Sequence, residues 1–274
     1  MAPSARARLA AIALVVLAPA AAPLAAQERP LLAADVGVHS AYVWRGISLT
    51  NRPVVQPAVS LSLPAFGGAW TVGGFASIEP ARYDGLRDLS QSGGAAAMDV
   101  AEYDAWLEYG RSVGPMALTL GATTYRFPNA SGSTAASNTV EAYGTVALAV
   151  PLSPTVGVWY DVDAVRGAYV EASVSHDVHA LLAVPLTVGA AAGFNAGQEL
   201  TLDPAQLANF AERGMTHAAL SLSSSLGVGP IAVEPAAHVV FARDAATRLA
   251  EPGRERGTKL WFGTTLSWAS GARR

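Results

Sequence analysis

The feature that most restricts the fold is an alternation of apolar and polar side chains at every second position. In residues 98–110, MDVAEYDAWLEYG, Tyr103 and Leu107 fall on one side of an extended chain, whereas Glu102 and Asp104 fall on the other. Successive side chains of a strand point to opposite faces, so each such segment has one apolar and one polar face. The pattern recurs in twelve segments, at about 35–45, 52–63, 69–79, 98–110, 115–127, 138–150, 155–163, 168–176, 184–195, 214–226, 231–242 and 257–269.

The length of these segments indicates a membrane rather than a soluble fold. Most have nine to thirteen residues, whereas a strand that crosses a bilayer needs about 9–11 and strands of globular proteins peak near 5–6. All backbone groups must be paired within hydrocarbon, which a sheet achieves only as a closed barrel. The sequence therefore predicts an all-β fold, a transmembrane antiparallel up-and-down β-barrel of about 12 strands. A secreted β-sandwich is the alternative.

The links between the segments mostly alternate between short and long. Compact links carry proline or glycine, as in PAFGG, RSVG and GVGP, and the longer, polar links include 80–97 and 196–213. Outer-membrane barrels have short periplasmic turns and longer extracellular loops, so we assign the longer links to the outside. Short helices are predicted in 203–214 and from Asp244 to Pro252. Whether loops 80–97 and 196–213 fold into the barrel stays open.

The N-terminus has the layout of a secretory signal peptide. Arg6 and Arg8 precede an apolar run that ends in small residues. We predict a signal peptide at 1–26, one barrel domain at 27–274, and export to the outer membrane, whose lipid would then be one partner.

Composition excludes several classes of site. The net charge of -3 argues against nucleic acid as a partner. The chain has no cysteine, which excludes disulfides, thiolate nucleophiles and cysteine-based metal sites. No G-x-S-x-G elbow is present, and the HDVH run from His176 to His179 lacks a third ligand in sequence. We therefore expect no catalytic residues, no metal and no cofactor.

The polar faces, which would line the lumen, carry more acids than bases. Rings of carboxylates favour cations in pores, so one reading is a passage for small hydrophilic solutes or ions that favours cations. The other reading is a plugged barrel in which the acids are paired. The candidate pore-lining residues are His39, Arg45, Gln56, Glu79, Glu102, Asp104, Glu108, Glu141, Tyr143, Asp161, Asp163, Glu171, Glu234, His238 and Lys259.

Aromatic residues on the apolar faces are candidates for the belts that outer-membrane barrels place at the two membrane interfaces. They are Tyr42, Trp44, Trp70, Tyr109, Tyr160, Phe194, Phe241, Phe262 and Trp268. Further aromatic residues lie on the polar phase, including Phe75, Trp106 and Trp159, which is more than a water-filled channel requires.

Several short signatures, in order, give the chain a family resemblance. SAYVWRG contains Tyr42, Arg45 and Gly46, and it is followed by VVQPA, FASIE, AEYDAWLEYG, LGATTYRFP, NTVEAYG and YVEASVSH. This order, over about 35–176, resembles the TorF-like family of Gram-negative outer-membrane porins. The resemblance implies an outer-membrane barrel of porin function, without a defined solute.

These observations predict an outer-membrane porin for small hydrophilic solutes or ions. Two alternatives stay open: a closed structural or adhesive barrel whose extracellular loops bind a partner, and an outer-membrane lipid-modifying enzyme. For Arg45, we weigh a rim cation paired with a lumen carboxylate against a charge at a constriction.

Overall fold

The computed structural model describes residues 30–83, 87–129, 138–178, 184–200 and 210–270. The predicted signal peptide and most of the predicted helix at 203–214 lie outside these residues. The strands are β1 (Leu31–His39), β2 (Tyr42–Trp44), β3 (Ile47–Thr50), β4 (Val54–Ala65), β5 (Gly68–Glu79), β6 (Asp99–Val113), β7 (Met116–Arg126), β8 (Thr139–Leu148), β9 (Thr155–Asp161), β10 (Gly167–Val178), β11 (Leu186–Asn195), β12 (Gly214–Ser223), β13 (Leu226–Val228), β14 (Ile231–Ala242), β15 (Leu249–Glu251), β16 (Arg254–Glu255) and β17 (Thr258–Ala269). A short helix, α1 (Ala245–Arg248), precedes β15.

Twelve antiparallel strands close into a barrel. Neighbouring strands follow the order β12-β11-β10-β9-β8-β7-β6-β5-β4-β1-β17-β14, and β12 pairs with β14 to close the ring. β13 pairs with one end of β14. The predicted all-β barrel of about 12 strands is confirmed. Each predicted segment coincides with one barrel strand to within a few residues, except that the first ends early, at His39.

The outer surface of the barrel is apolar, because the alternate residues that face away from the lumen are mostly valine, leucine and aromatic. Val38, Val59, Leu107 and Leu120 are among the exposed side chains. Such a continuous exposed apolar surface suits contact with lipid. Among the described residues, no helix is long and apolar enough to cross a membrane.

Seven of the nine predicted interface aromatics lie on this outer surface. At the end of the barrel with the short turns, the rings of Trp70 and Tyr109 lie 5.2 Å apart, and the Tyr109 hydroxyl donates to the Phe66 carbonyl at 3.0 Å. A ring with a polar group anchored at one barrel end is typical of an interfacial position. The seven are Trp70, Tyr109, Tyr160, Phe194, Phe241, Phe262 and Trp268.

The two ends of the barrel differ in their connections. The turn end carries the tight β4–β5 and β6–β7 turns, whereas the loop end carries the long connections β1–β4, β5–β6, β11–β12 and β14–β17. In outer-membrane barrels the short turns are periplasmic and the longer loops extracellular, so the loop end is the outer one by this rule.

The β1–β4 connection folds into the lumen as a hairpin. β2 and β3 pair only with each other, in a sheet separate from the barrel wall. Trp44 lies opposite Ile47, and the two residues between them, Arg45 and Gly46, have φ of 48° and 80°. Positive φ at both central residues is the requirement of a type I′ hairpin turn. Residues 42–50 are called the inner hairpin below.

The inner hairpin packs against most of the barrel wall at the loop end. One cluster joins hairpin residues Tyr42, Ile47 and Leu49 to Phe75 of β5 and Tyr169 of β10. A second cluster joins hairpin residue Val43 to β11, β12, β14 and β17, the last through Trp261. The hairpin therefore reaches across the lumen, and the wall aromatics predicted to face inward form its socket.

This arrangement corrects the assignment of Tyr42 and Trp44 to the outer membrane interface. Tyr42 is buried in the interior, and the Trp44 ring lies 6.0 Å from that of Tyr125 on β7. The alternation rule assigned them to lipid on the assumption that the first strand continues to residue 45. Because β1 ends at His39 and the chain then turns inward, that assignment was wrong.

Candidate functional site: the plugged interior

A buried ion pair joins the tip of the inner hairpin to the opposite wall. The two terminal nitrogens of Arg45 each donate to one carboxylate oxygen of Glu141 on β8, both at 2.7 Å. The two residues are 3% and 1% exposed. Tyr125 also donates its hydroxyl to Glu141, at 2.9 Å. Such a two-pronged arginine–carboxylate pair fixes orientation as well as distance.

Aromatic rings surround the same arginine. Its guanidinium carbon lies 4.2 Å from the centre of the Trp44 ring, 4.3 Å from that of Tyr169 and 5.4 Å from that of Trp159. Burial opposes the charge, but the facing Glu141 carboxylate outweighs it and raises the pKa of Arg45 above its usual range. Arg45 therefore stays charged, and desolvated contacts between a cation and ring faces stabilise the docked hairpin further.

A second cation holds the other side of the hairpin. The Lys259 ammonium of β17 donates to the Gly46 carbonyl at 2.5 Å and to the Ser48 hydroxyl at 2.9 Å. Behind the turn, a Cβ added to Gly46 would lie 2.7 Å from the ring of His217 on β12. Glycine is thus required at this position both by its backbone conformation and by the close approach of the wall.

The β5–β6 connection also contributes to the interior. Glu79, at the end of β5, accepts from the hydroxyls of Thr50, Ser90 and Ser92 at 2.6, 2.5 and 2.5 Å and from the Gln91 amide N–H at 2.9 Å. Thr50 is the last residue of the inner hairpin. This buried carboxylate therefore ties the hairpin and the loop together, as expected for a carboxylate that must be satisfied inside a protein.

The β11–β12 connection closes over the hairpin from another side. Phe210 is buried, and its ring stacks on Tyr169 with centroids 5.7 Å apart. The Asp244 carboxylate accepts from the N–H groups of Ala211 and Glu212 and from Ala246, which caps α1. The described parts of both long loops thus fold inward, and the predicted helix start at Asp244 is confirmed, although the helix ends at Arg248.

The turn-end half of the lumen also carries acidic side chains. Glu108 accepts from the Tyr143 hydroxyl at 2.5 Å, and Glu234 accepts from the Ser267 hydroxyl at 3.0 Å. Asp35 on β1 lies directly opposite Ser267 on β17. These acids are only partly buried.

Most predicted pore-lining residues point into the barrel, but many contact the hairpin or loops rather than an open passage. Asp161 accepts from the N–H groups of Asp163, Val165 and Arg166, at 2.9, 3.0 and 3.1 Å, so it holds the β9–β10 loop. Asp163 is exposed in that loop, and its assignment to the lumen was wrong because β9 ends at Asp161. The residues that do face the interior are His39, Arg45, Gln56, Glu79, Glu102, Asp104, Glu108, Glu141, Tyr143, Asp161, Glu171, Glu234, His238 and Lys259.

The two histidines on barrel strands that were predicted to face the lumen lie near one another. His39 and His238 are both buried, and His238 stacks on Trp261 with ring centroids 4.9 Å apart. Within the described residues, no cluster of three or more His, Cys, Asp or Glu forms a metal site.

Alternation concerns only the barrel strands, so it did not predict which loop residues lie in the interior. Gln91, Gln198, Phe210 and Asp244 were missed as interior residues. The one available signal for the hairpin was the two-residue turn between the short apolar runs VW and IS, but Arg-Gly is a weaker turn signal than Asn-Gly.

The sequence profile of a family described as "Bacterial protein of unknown function (Gcw_chp)" matches residues 25–212. The chain belongs to this family. The match confirms a bacterial family but not the TorF-like porins. Among curated proteins, none matches the sequence.

Solved structures with a similar fold include three outer-membrane barrels. The NanC porin is 10% identical, with a TM-score of 0.48 over 86% of this chain and 98% of that one. The KdgM porin in complex with disordered oligogalacturonate is 7% identical, with a TM-score of 0.44 over 87% and 98%. LpxR from Salmonella typhimurium is 10% identical, with a TM-score of 0.45 over 87% and 99%. At these identities the likeness concerns the fold alone.

Proposed function

We propose that the protein is an outer-membrane channel of the porin type, related to the TorF-like porins, for small hydrophilic solutes or ions. The inner hairpin closes it in this structure and must move before solutes pass. The observation that carries the proposal is the way the hairpin is held. It pairs only with itself and is attached to the wall by side chains, so it is able to leave without breaking the barrel.

The polar lining beyond the hairpin supports a transport role. Glu108, Glu234 and Asp35 give the turn-end half of the lumen a negative charge. Carboxylates around a pore favour cations. The proposed channel therefore favours cations over anions once the hairpin is displaced.

The register of the barrel offers a clean way to remove the hairpin. His39, the last residue of β1, lies directly opposite Val54, the first residue of β4. Residues 40–53 can therefore be replaced by a short Asn-Gly-containing turn, while the β1–β4 ladder is kept. Heat-modifiable migration in gels would show that this shortened barrel still folds.

Single-channel recording in planar bilayers tests the proposal. We expect the natural protein to be closed for most of the recording and the shortened barrel to conduct continuously. A reversal potential measured in a KCl gradient should show that the shortened barrel prefers cations. A folded, shortened barrel that stays electrically silent contradicts the channel, and anion preference contradicts the assigned role of the acids.

A closed barrel with loops that bind a partner is the second candidate. It is favoured by the apolar packing of hairpin residues Tyr42, Ile47 and Leu49 in the loop-end half. The silent outcome above would support this candidate. We propose no enzymatic role, and phospholipid turnover by the purified protein would contradict that choice.

A further inference from the structure

Two acids lie side by side inside the barrel without a basic partner. Glu102 and Asp104 stand two residues apart on β6, so both face the interior. They are 2% and 5% exposed. Among the described residues, neither forms an ion pair with an arginine or a lysine. Two carboxylates at this spacing repel one another when both are ionised, and burial strengthens that repulsion.

Other oxygen atoms near the pair also lack hydrogen-bond donors. The Gln91 side chain donates through its nitrogen to Glu102 at 2.8 Å, while its Oε1 has no partner. The Tyr42 hydroxyl lies close enough to Glu102 for a weak hydrogen bond, but the geometry falls outside that of a standard one. Both oxygens of Asp104 are without a donor as well. Gln91 and Tyr42 are more than nine-tenths buried.

A proton shared between the two carboxyl groups accounts for only part of this arrangement. One proton held between Glu102 and Asp104 satisfies a single oxygen of Asp104. The other Asp104 oxygen and Oε1 of Gln91 would stay buried without a partner, which is unfavourable. A single bound cation can coordinate several oxygen atoms at once and also offsets the negative charge of both carboxylates.

We infer that Glu102, Asp104, Gln91 and Tyr42 form a binding site for a hard divalent cation, with Ca²⁺ as the favoured ion. The ligands are all oxygen atoms, and the set mixes carboxylate with neutral oxygens, which Ca²⁺ accommodates in flexible geometry and completes with water. Mg²⁺ demands near-ideal octahedral positions, which a set drawn from three separate segments suits less well.

The position of the site gives it a consequence for the hairpin. Tyr42 belongs to the inner hairpin, Gln91 to the β5–β6 connection and the two acids to the wall. A bound cation would therefore link both the inner hairpin and the β5–β6 connection to β6. This consequence rests on the proposed channel function, whereas cation binding itself does not.

Binding is tested on the full chain in detergent, after treatment with a chelator. We expect Ca²⁺ to raise the unfolding temperature, and Tb³⁺ to emit when aromatic side chains near the site are excited. Asp104→Asn and Glu102→Gln should weaken Ca²⁺ binding at least tenfold, and Tyr42→Phe by a smaller factor. Glu171→Gln is the matched control. Glu171 is equally buried on β10 and has one carboxylate oxygen without a partner, but no second acid two residues away on its strand, so its variant should bind like the natural protein.

Three outcomes overturn the site: no stabilisation by Ca²⁺ or Mg²⁺ at millimolar concentration, equal loss in Glu171→Gln and Asp104→Asn, or unchanged affinity in folded Asp104→Asn. Tighter binding of Mg²⁺ than Ca²⁺ overturns the choice of ion. Conductance separates the two proposals. If the natural protein binds Ca²⁺ but the shortened barrel is silent, the cation site stands and the channel proposal fails. If the shortened barrel conducts but the natural protein does not bind Ca²⁺, the channel proposal stands and the cation site fails.

Discussion

Arg45→Met tests whether the buried ion pair holds the inner hairpin in the lumen. Methionine retains an unbranched side chain like the apolar stem of arginine, but it removes both hydrogen bonds to Glu141. The Glu141 carboxylate, 1% exposed, is then left with the Tyr125 hydroxyl at 2.9 Å and the Gln198 amide at 3.5 Å. Water can solvate that charge only when the hairpin undocks. The substitution therefore destabilises the docked state selectively.

The size of the effect follows from the burial of the pair. Removing one partner of a buried ion pair costs about 3–5 kcal/mol. Since about 1.4 kcal/mol corresponds to a factor of ten, the undocked population should rise by roughly two to three and a half orders of magnitude. Replacing both partners, in Arg45→Met/Glu141→Leu, leaves no unpaired charge, and such apolar replacements are often neutral or stabilising. The double variant should therefore return toward the natural protein.

The absence of cysteine from the chain makes the assay simple. Val43→Cys introduces a single thiol of similar size, buried where β2 packs on the wall. Its rate of maleimide labelling in each background reports how often the hairpin undocks, when docking is fast compared with labelling. We expect faster labelling in Arg45→Met by the factor given above, and near-natural labelling in the double variant.

A surface ion pair between the same two residue types provides the control. Arg248 bonds to Glu255 at 2.8 Å, with side chains that are 39% and 53% exposed, and exposed pairs contribute about 0–1 kcal/mol. Glu255→Ala should therefore change the labelling rate by less than about tenfold. If Arg45→Met labels no faster than Glu255→Ala, the buried ion pair does not hold the hairpin and the reasoning is refuted.

Three further predictions test other parts of the interior. Gly46→Ala should increase labelling of Val43→Cys more than Gly229→Ala does. Both positions have positive φ, but only at Gly46 would a Cβ meet the His217 ring, at 2.7 Å. Equal labelling in the two variants would contradict the close approach of His217 to the turn. Asp244→Ala should speed proteolysis of the β11–β12 loop, since loss of a helix cap alone costs about 0.5–2 kcal/mol; an unchanged cleavage pattern would show that the cap does not hold the loop. In the shortened barrel, Glu108→Gln should lower cation preference by reversal potential, and an unchanged value would place the selectivity elsewhere.

The barrel itself was predictable because alternation is a local property of a strand. In β6, the position of Leu107 fixes the side of Glu108 without knowledge of any other strand. Closure followed from the rule that hydrocarbon allows no free sheet edge, and the strand number followed from the count of twelve alternating segments. The sequence therefore predicted the side of wall residues on correctly bounded strands, such as Glu102, Glu141 and Lys259.

The content of the lumen was not predictable in the same way. The side assigned to Tyr42 depended on a strand end at His39, and no glycine, proline or asparagine marks residues 40 and 41. A lumen carboxylate was considered as the partner of Arg45, but the sequence did not indicate which one, because Glu141 lies 96 residues along the chain and nearly across the barrel. Contacts across a lumen depend on the barrel diameter and on the path of the loops, and neither produces a periodic pattern of residues in the sequence.

The apolar packing of the hairpin limits what the ion pair alone can do. Tyr42, Val43, Ile47 and Leu49 are all buried against the wall, and each such side chain contributes about 1.5–3 kcal/mol by burial. Together they contribute roughly 6–12 kcal/mol, which exceeds the ion-pair effect of about 3–5 kcal/mol. Arg45→Met should therefore undock the hairpin more often without leaving the channel permanently open. A labelling rate resolves this change even where average conductance stays low, and continuous conduction by Arg45→Met would mean that the aromatic socket contributes far less than its burial suggests.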